Sequence, residues 1–111
     1  MRRRRQYHAP IDKKGLREAF GELRKRGYFA RQNFLCCQSC AWAAVPEEKA
    51  DKAVFYHNQD NQRLEATGKC HLAWAGNGQE IVDVLQAHGV KTTWDGTSGQ
   101  RIEIELERIQ F

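Results

Sequence analysis

Arg101-Ile102-Glu103-Ile104-Glu105-Leu106-Glu107 is the stretch on which the fold turns. Ile102, Ile104 and Leu106 alternate with Glu103, Glu105 and Glu107, the period-two pattern of a strand with one dry and one wet face. A strand of this kind belongs in an antiparallel sheet covered on one side. Its row of glutamates reads as a solvated face that discourages aggregation. Ile109 and Phe111 leave the register, so the strand bends, bulges or ends there.

Working back from it, Asp95 to Gly99 has hairpin character, and Val90 to Trp94 is the strand that pairs through it. Before that strand, Ile81, Val84, Leu85 and His88 form the buried stripe of a helix. Asn77 with Glu80 imitates a capping box at its start, and Gly89 closes it. Gly76-x-Gly78 reads as the turn into this helix rather than as an anion cradle. His88 reads as a C-terminal cap. Cys70 to Ala75 and Ala53 to His57 are the two earlier strands. Asn58 to Lys69, polar and rich in turn formers, is expected to be an exposed connection.

At the other end, Asp12 to Arg26 carries a helical stripe of Leu16, Ala19, Phe20 and Leu23. Asp12 suits its cap, Ile11 and Leu16 a hydrophobic staple, and Gly27 the left-handed C′ position. Tyr28 to Arg31 is a connection. Asn33 is then the expected cap of a second helix reaching Ala44, ended by Pro46. The predicted fold is α+β: two N-terminal helices, then β-β-α-β-β. It forms a four-stranded, largely antiparallel sheet covered by helices on one face.

The chain has 111 residues, enough for one domain with a modest core. Residues 1–10 read as a flexible basic arm and residues 11–111 as the single α+β domain. The net charge is +4 from 18 basic and 14 acidic residues, and setting aside Arg2, Arg3, Arg4 and Arg5 leaves 14 against 14. The positive charge therefore belongs to a tail. That weighs against nucleic-acid binding, although a contact by the four arginines is the form it would take. Four cysteines are too few for a disulfide scaffold, and Gln6-Tyr7-His8-Ala9-Pro10 is no apolar signal core. No apolar run approaches the ~20 residues of a membrane span. The expectation is a cytoplasmic protein, with no membrane contact and with reduced thiols.

Chemistry is concentrated in Asn33-Phe34-Leu35-Cys36-Cys37-Gln38-Ser39-Cys40 and in Phe55-Tyr56-His57-Asn58-Gln59-Asp60. Together with Trp94-Asp95-Gly96 and the strand from Arg101 to Ile104, these motifs resemble an uncharacterised bacterial family built on a domain of unknown function. The resemblance covers roughly residues 28 to 106. Cys70, His71 and the arginine arm lie outside its pattern. It brings no activity with it, but it implies that Cys36, Cys37, Cys40, His57, Gln59 and Asp60 form one cluster.

Three readings follow. As a metal site, Cys36, Cys37, Cys40 and His57 would supply the four tetrahedral ligands of a zinc ion, with Cys70 or His71 as a substitute. The partner Cys-x-x-Cys that would make the signal strong is missing, and small core cysteines are the plain alternative. As a thiol-dependent enzyme, Cys36, at N3 of a helix capped by Asn33, or its neighbour Cys37 would be the nucleophile. His57 would be the base, with Asp60 or Gln59 orienting it; Cys37 and Cys40 would be a redox variant. As a binding module, Trp42, Tyr56, Trp74 and Trp94 would line a groove, although aromatics so spaced are more often core. The leading expectation is a non-catalytic binding or interaction protein with a protein partner. Its Cys/His cluster would be structural or metal-binding. The alternatives are the thiol enzyme and an accessory or inhibitor protein acting on a partner.

Overall fold

Leu16, Ala19, Phe20 and Leu23 do form one buried stripe, on helix α1 (Lys14–Lys25), and it packs on a five-stranded sheet. The structure is a computed structural model describing residues 11–35, 38–98 and 100–109. The remaining elements are β1 (Phe29–Arg31), α2 (Gln38–Ala44), β2 (Ala53–Phe55), α3 (Asn58–Thr67), β3 (Lys69–Ala75), α4 (Gly78–Ala87), β4 (Lys91–Thr93) and β5 (Ile102–Glu105). A 3₁₀ turn, Glu47–Lys49, precedes β2.

The strand order is β1-β2-β3-β5-β4. β1 runs parallel to β2, and every other neighbouring pair is antiparallel. The sheet is thus largely antiparallel, as expected, but it has five strands rather than four. The added strand is the segment expected to be a connection: Phe29, Ala30 and Arg31 pair with Ala53, Val54 and Phe55. Three residues are too few to show a period, which is why this strand carries no sequence signal.

Alternation along the strands sorts their side chains onto two faces. Val54, Tyr56, Cys70, Leu72, Ile102 and Ile104 belong to the main core with residues of α1, α3 and α4. Phe55, Ala53 and Ala73 point the other way and meet Ala41 and Val45 beside α2, with Phe29, Phe34 and Trp42 packed around them. The helices therefore lie on both faces, not one. Burying Phe55 and Ala73 requires a second cover, and the small alanine-rich α2 provides it.

Two elements differ from expectation. Asn58–Thr67 is a helix, not an exposed connection. It buries only Asp60 and Leu64, so it depends on its ends. Gly68 at φ +82° returns its N–H to Leu64 O, and Arg108 donates to the carbonyls of Glu65 and Ala66. The second helix is shorter than expected, Gln38–Ala44. Asn33 does not cap it: Asn33 and Leu35 have φ of +50° and +63°, in the left-handed region. Phe34 N–H donates to Tyr56 O, and Leu35 O accepts from Asn58 N–H. The segment that would have begun the helix instead extends the β1–β2 pairing into a pinned turn.

Candidate functional site

The site grows from the place where β2 stops. β2 and β3 pair through Phe55 and Ala73, so beyond Phe55 the β3 edge has no strand beside it. The chain turns there into α3, with His57 as the N-cap residue. His57 Nδ1 accepts a hydrogen bond from the N3 amide of Asp60 at 3.3 Å. An imidazole that accepts at Nδ1 carries its proton on Nε2. Nε2 lies 3.2 Å from Asp60 Oδ2. The cap ring and the N3 carboxylate thus lie against each other at the start of α3.

Arg101, one residue before β5, completes the arrangement. Its Nη2 donates to Asp60 Oδ2 at 2.9 Å and to His71 O at 2.9 Å. One guanidinium therefore neutralises the buried carboxylate and satisfies a carbonyl at the edge β2 has left. Asp60 and His57 are nearly sealed, with side chains 4% and 9% exposed, whereas Arg101 is 37% exposed. The buried Nε of Arg101 has no hydrogen-bond partner among the described residues. Arg101 is the residue that sequence reasoning missed. The available signal was its place on the same outward parity as Glu103, Glu105 and Glu107, a lone cation heading an acidic row.

The other candidate residues lie as follows. Cys36 and Cys37 lie outside the described residues, as do Arg2 to Arg5. The helix-terminal position argued for Cys36 rested on Asn33 as a cap, and Asn33 has no such role. Cys40 is exposed on α2. Gln59 is exposed in the first turn of α3, and Asn58 Nδ2 donates to Asn33 Oδ1 at 3.2 Å. Cys70 is fully buried in the main core; burial, reinforced by the nearby Asp60 charge, pushes its thiol up to about 12. His71 points to the opposite face from Cys70, and its Nε2 lies 3.8 Å from Glu103. Among the described residues, no three His, Cys, Asp or Glu side chains gather as metal ligands.

The aromatic groove does not form as one surface. Tyr56 is core, its phenol pushed up by burial, and it donates to Gln32 Oε1 at 3.1 Å. Trp42 meets Phe55 edge-on with ring centroids 4.8 Å apart. Trp74 and Trp94 form a separate perpendicular pair at 5.6 Å. A Cβ on Gly78 would come within 2.6 Å of the Trp94 ring and 2.8 Å of Trp74. That explains Gly78 as packing space under two indoles, while Gly76 serves the turn with φ +113°. His88 caps α4 and reaches Glu22 of α1, Nε2 to Oε1 at 2.8 Å.

These features define a small α+β domain: a mixed five-stranded sheet, helices on both faces, and a buried His–Asp–Arg network at one helix start. The chain belongs to the family described as a domain of unknown function (DUF6891), which it matches over residues 1–109. No curated protein and no solved structure matches it. No helix among the described residues is long and apolar enough to cross a membrane.

Proposed function

We propose that the protein is a non-catalytic, cytoplasmic binding module that acts on a protein partner. In this reading the cluster around His57 and Asp60 is a structural element. One observation carries it: the Nδ1 lone pair of His57 accepts from Asp60 N–H, its Nε2 lies 3.2 Å from Asp60 Oδ2, and that same oxygen accepts from Arg101. A general base needs a free lone pair aimed at the proton it removes. Here the lone pair of Nδ1 caps a helix. The thiol of Cys70 is equally ill-suited to attack, since burial holds it protonated at neutral pH. Zinc on Cys36, Cys37 and Cys40 is the metal-bound version of the same reading. His57 could join those ligands only by giving up the cap of α3.

The competing thiol enzyme makes Cys36 or Cys37 a nucleophile activated by His57, with Asp60 orienting it. Alkylation kinetics on untagged protein, before and after a chelator and in a His57→Asn variant, separate the two. The binding-module reading expects no thiol faster than a free cysteine and no change in rates on His57→Asn. Slow thiols that the chelator releases, with about one zinc per chain by elemental mass spectrometry, would be its metal-bound form. One fast thiol that slows at least tenfold in His57→Asn would overturn it.

A further inference from the structure

β1 is an edge strand, and its outer side is not bare. Phe29 N–H donates inward to Lys52 O, so the backbone groups of the next residue, Ala30, face outward. Arg24, from the last turn of α1, donates from Nη1 to Ala30 O at 2.9 Å. Arg31 donates from its own Nη1 to the same oxygen at 3.2 Å. Two guanidinium groups thus converge on one carbonyl. Neither has a carboxylate partner among the described residues, whereas Arg26 is paired with Glu22 and Glu80 and Arg101 with Asp60.

Two like charges gathered at one point favour an anion between them. The shared carbonyl uses one N–H of each guanidinium, and each has five, in a planar fork that matches an oxyanion. The Arg31 fork is further held by stacking 4.4 Å over the Phe29 ring. Phe29 and Phe34, half-buried, meet edge-on beside it with centroids 5.4 Å apart. α2, the nearest cover on this face, has no charged residue.

We infer that Arg24 and Arg31 form an oxyanion-binding site at the β1 edge that receives a carboxylate or phosphoryl group of a partner peptide, next to an apolar side chain on Phe29 and Phe34. The inference rests on the binding-module reading and names the chemistry of its partner. Arginine and aromatic side chains together are the composition of protein interfaces.

The test is titration of the full chain with sodium phosphate and, separately, sodium acetate at constant ionic strength. It is followed by NMR through the arginine Nε–Hε signals. Saturable shifts at Arg24 and Arg31, absent at the exposed Arg17 and Arg63, are expected. The apparent affinity should fall at least tenfold in R24K/R31K, which keeps the charge and loses the forks. Saturation by phosphate alone supports the site and assigns it to a phosphorylated residue; saturation by both ions supports it and assigns acidic residues as well. Non-saturating shifts, equal shifts at all four arginines, or unchanged affinity in R24K/R31K would overturn it. A fast thiol at Cys36 or Cys37 would end the binding-module reading without altering this titration, so the two can fail separately.

Discussion

The N-termini of α3 and α4 are built to one plan and placed in opposite environments. In α4 the cap is Asn77, whose side chain accepts from Glu80 N–H at 3.1 Å. In α3 the cap is His57, accepting from Asp60 N–H at 3.3 Å. Each N3 acid is then held by an arginine from elsewhere in the chain: Glu80 by Arg26 at 2.9 Å and Asp60 by Arg101 at 2.9 Å. At α4 the pair is open, with Arg26 45% and Glu80 28% exposed, and Tyr28 adds a hydrogen bond to Glu80 at 2.8 Å. At α3 the carboxylate is only 4% exposed. Water can substitute for any lost partner at α4. At α3 nothing can, so the same motif is dispensable in one place and obligatory in the other.

The largest expected effect follows from that difference. Arg101→Met leaves the Asp60 carboxylate buried without its counter-charge, and should cost about 3 kcal/mol in denaturant unfolding. A loss below about 1 kcal/mol would mean that Asp60 is better solvated than its burial implies. Asn77→Ala removes a cap in the open setting, where about 1 kcal/mol is expected by the same measurement. Glu80→Gln should cost less than about 1 kcal/mol.

The open setting should also show in the pH dependence. The Arg26 hydrogen bond, aided by Tyr28, holds the Glu80 carboxyl below its ordinary value; a hydrogen bond to His88, then one to Arg26, does the same for Glu22. A carboxyl depressed in the folded state stabilises it above the ordinary carboxylate range and loses that contribution as pH falls through the folded value. Thermal unfolding from neutral to acid pH should therefore show a fall in stability that Glu80→Gln makes shallower. An identical acid limb in the variant would contradict this.

The same comparison explains what was legible in the sequence. Asn77 and Glu80 announced α4 because asparagine is a standard cap and an apolar stripe follows it. His57 and Asp60 serve the same geometry but announced nothing. Histidine is an unusual cap, and α3 shows water almost all round, burying only Leu64 behind Asp60. Gly68, in the left-handed C′ position, was the one local sign that a helix ends there. The resemblance grouped His57 with Asp60, and in the structure their side chains lie 3.2 Å apart. Arg101 joins them from 41 residues away, across a strand pairing that no local pattern encodes. The alternation of Ile102 and Ile104 with Glu103 and Glu105 correctly marked β5 as an antiparallel strand with buried isoleucines. Alternation could not reveal that Phe55 and Ala73 needed a cover of their own.

The central claim is that His57 is a helix cap and not a base, and comparing His57→Ala with His57→Asn in equilibrium unfolding tests it most directly. Asparagine can accept from Asp60 N–H as Asn77 does from Glu80, whereas alanine cannot. His57→Ala is expected to lose about 2 kcal/mol, and His57→Asn to recover at least half of it. If asparagine were no better than alanine, or if both variants were as stable as the parent, His57 would not be holding α3, and the structural reading of the site would fail.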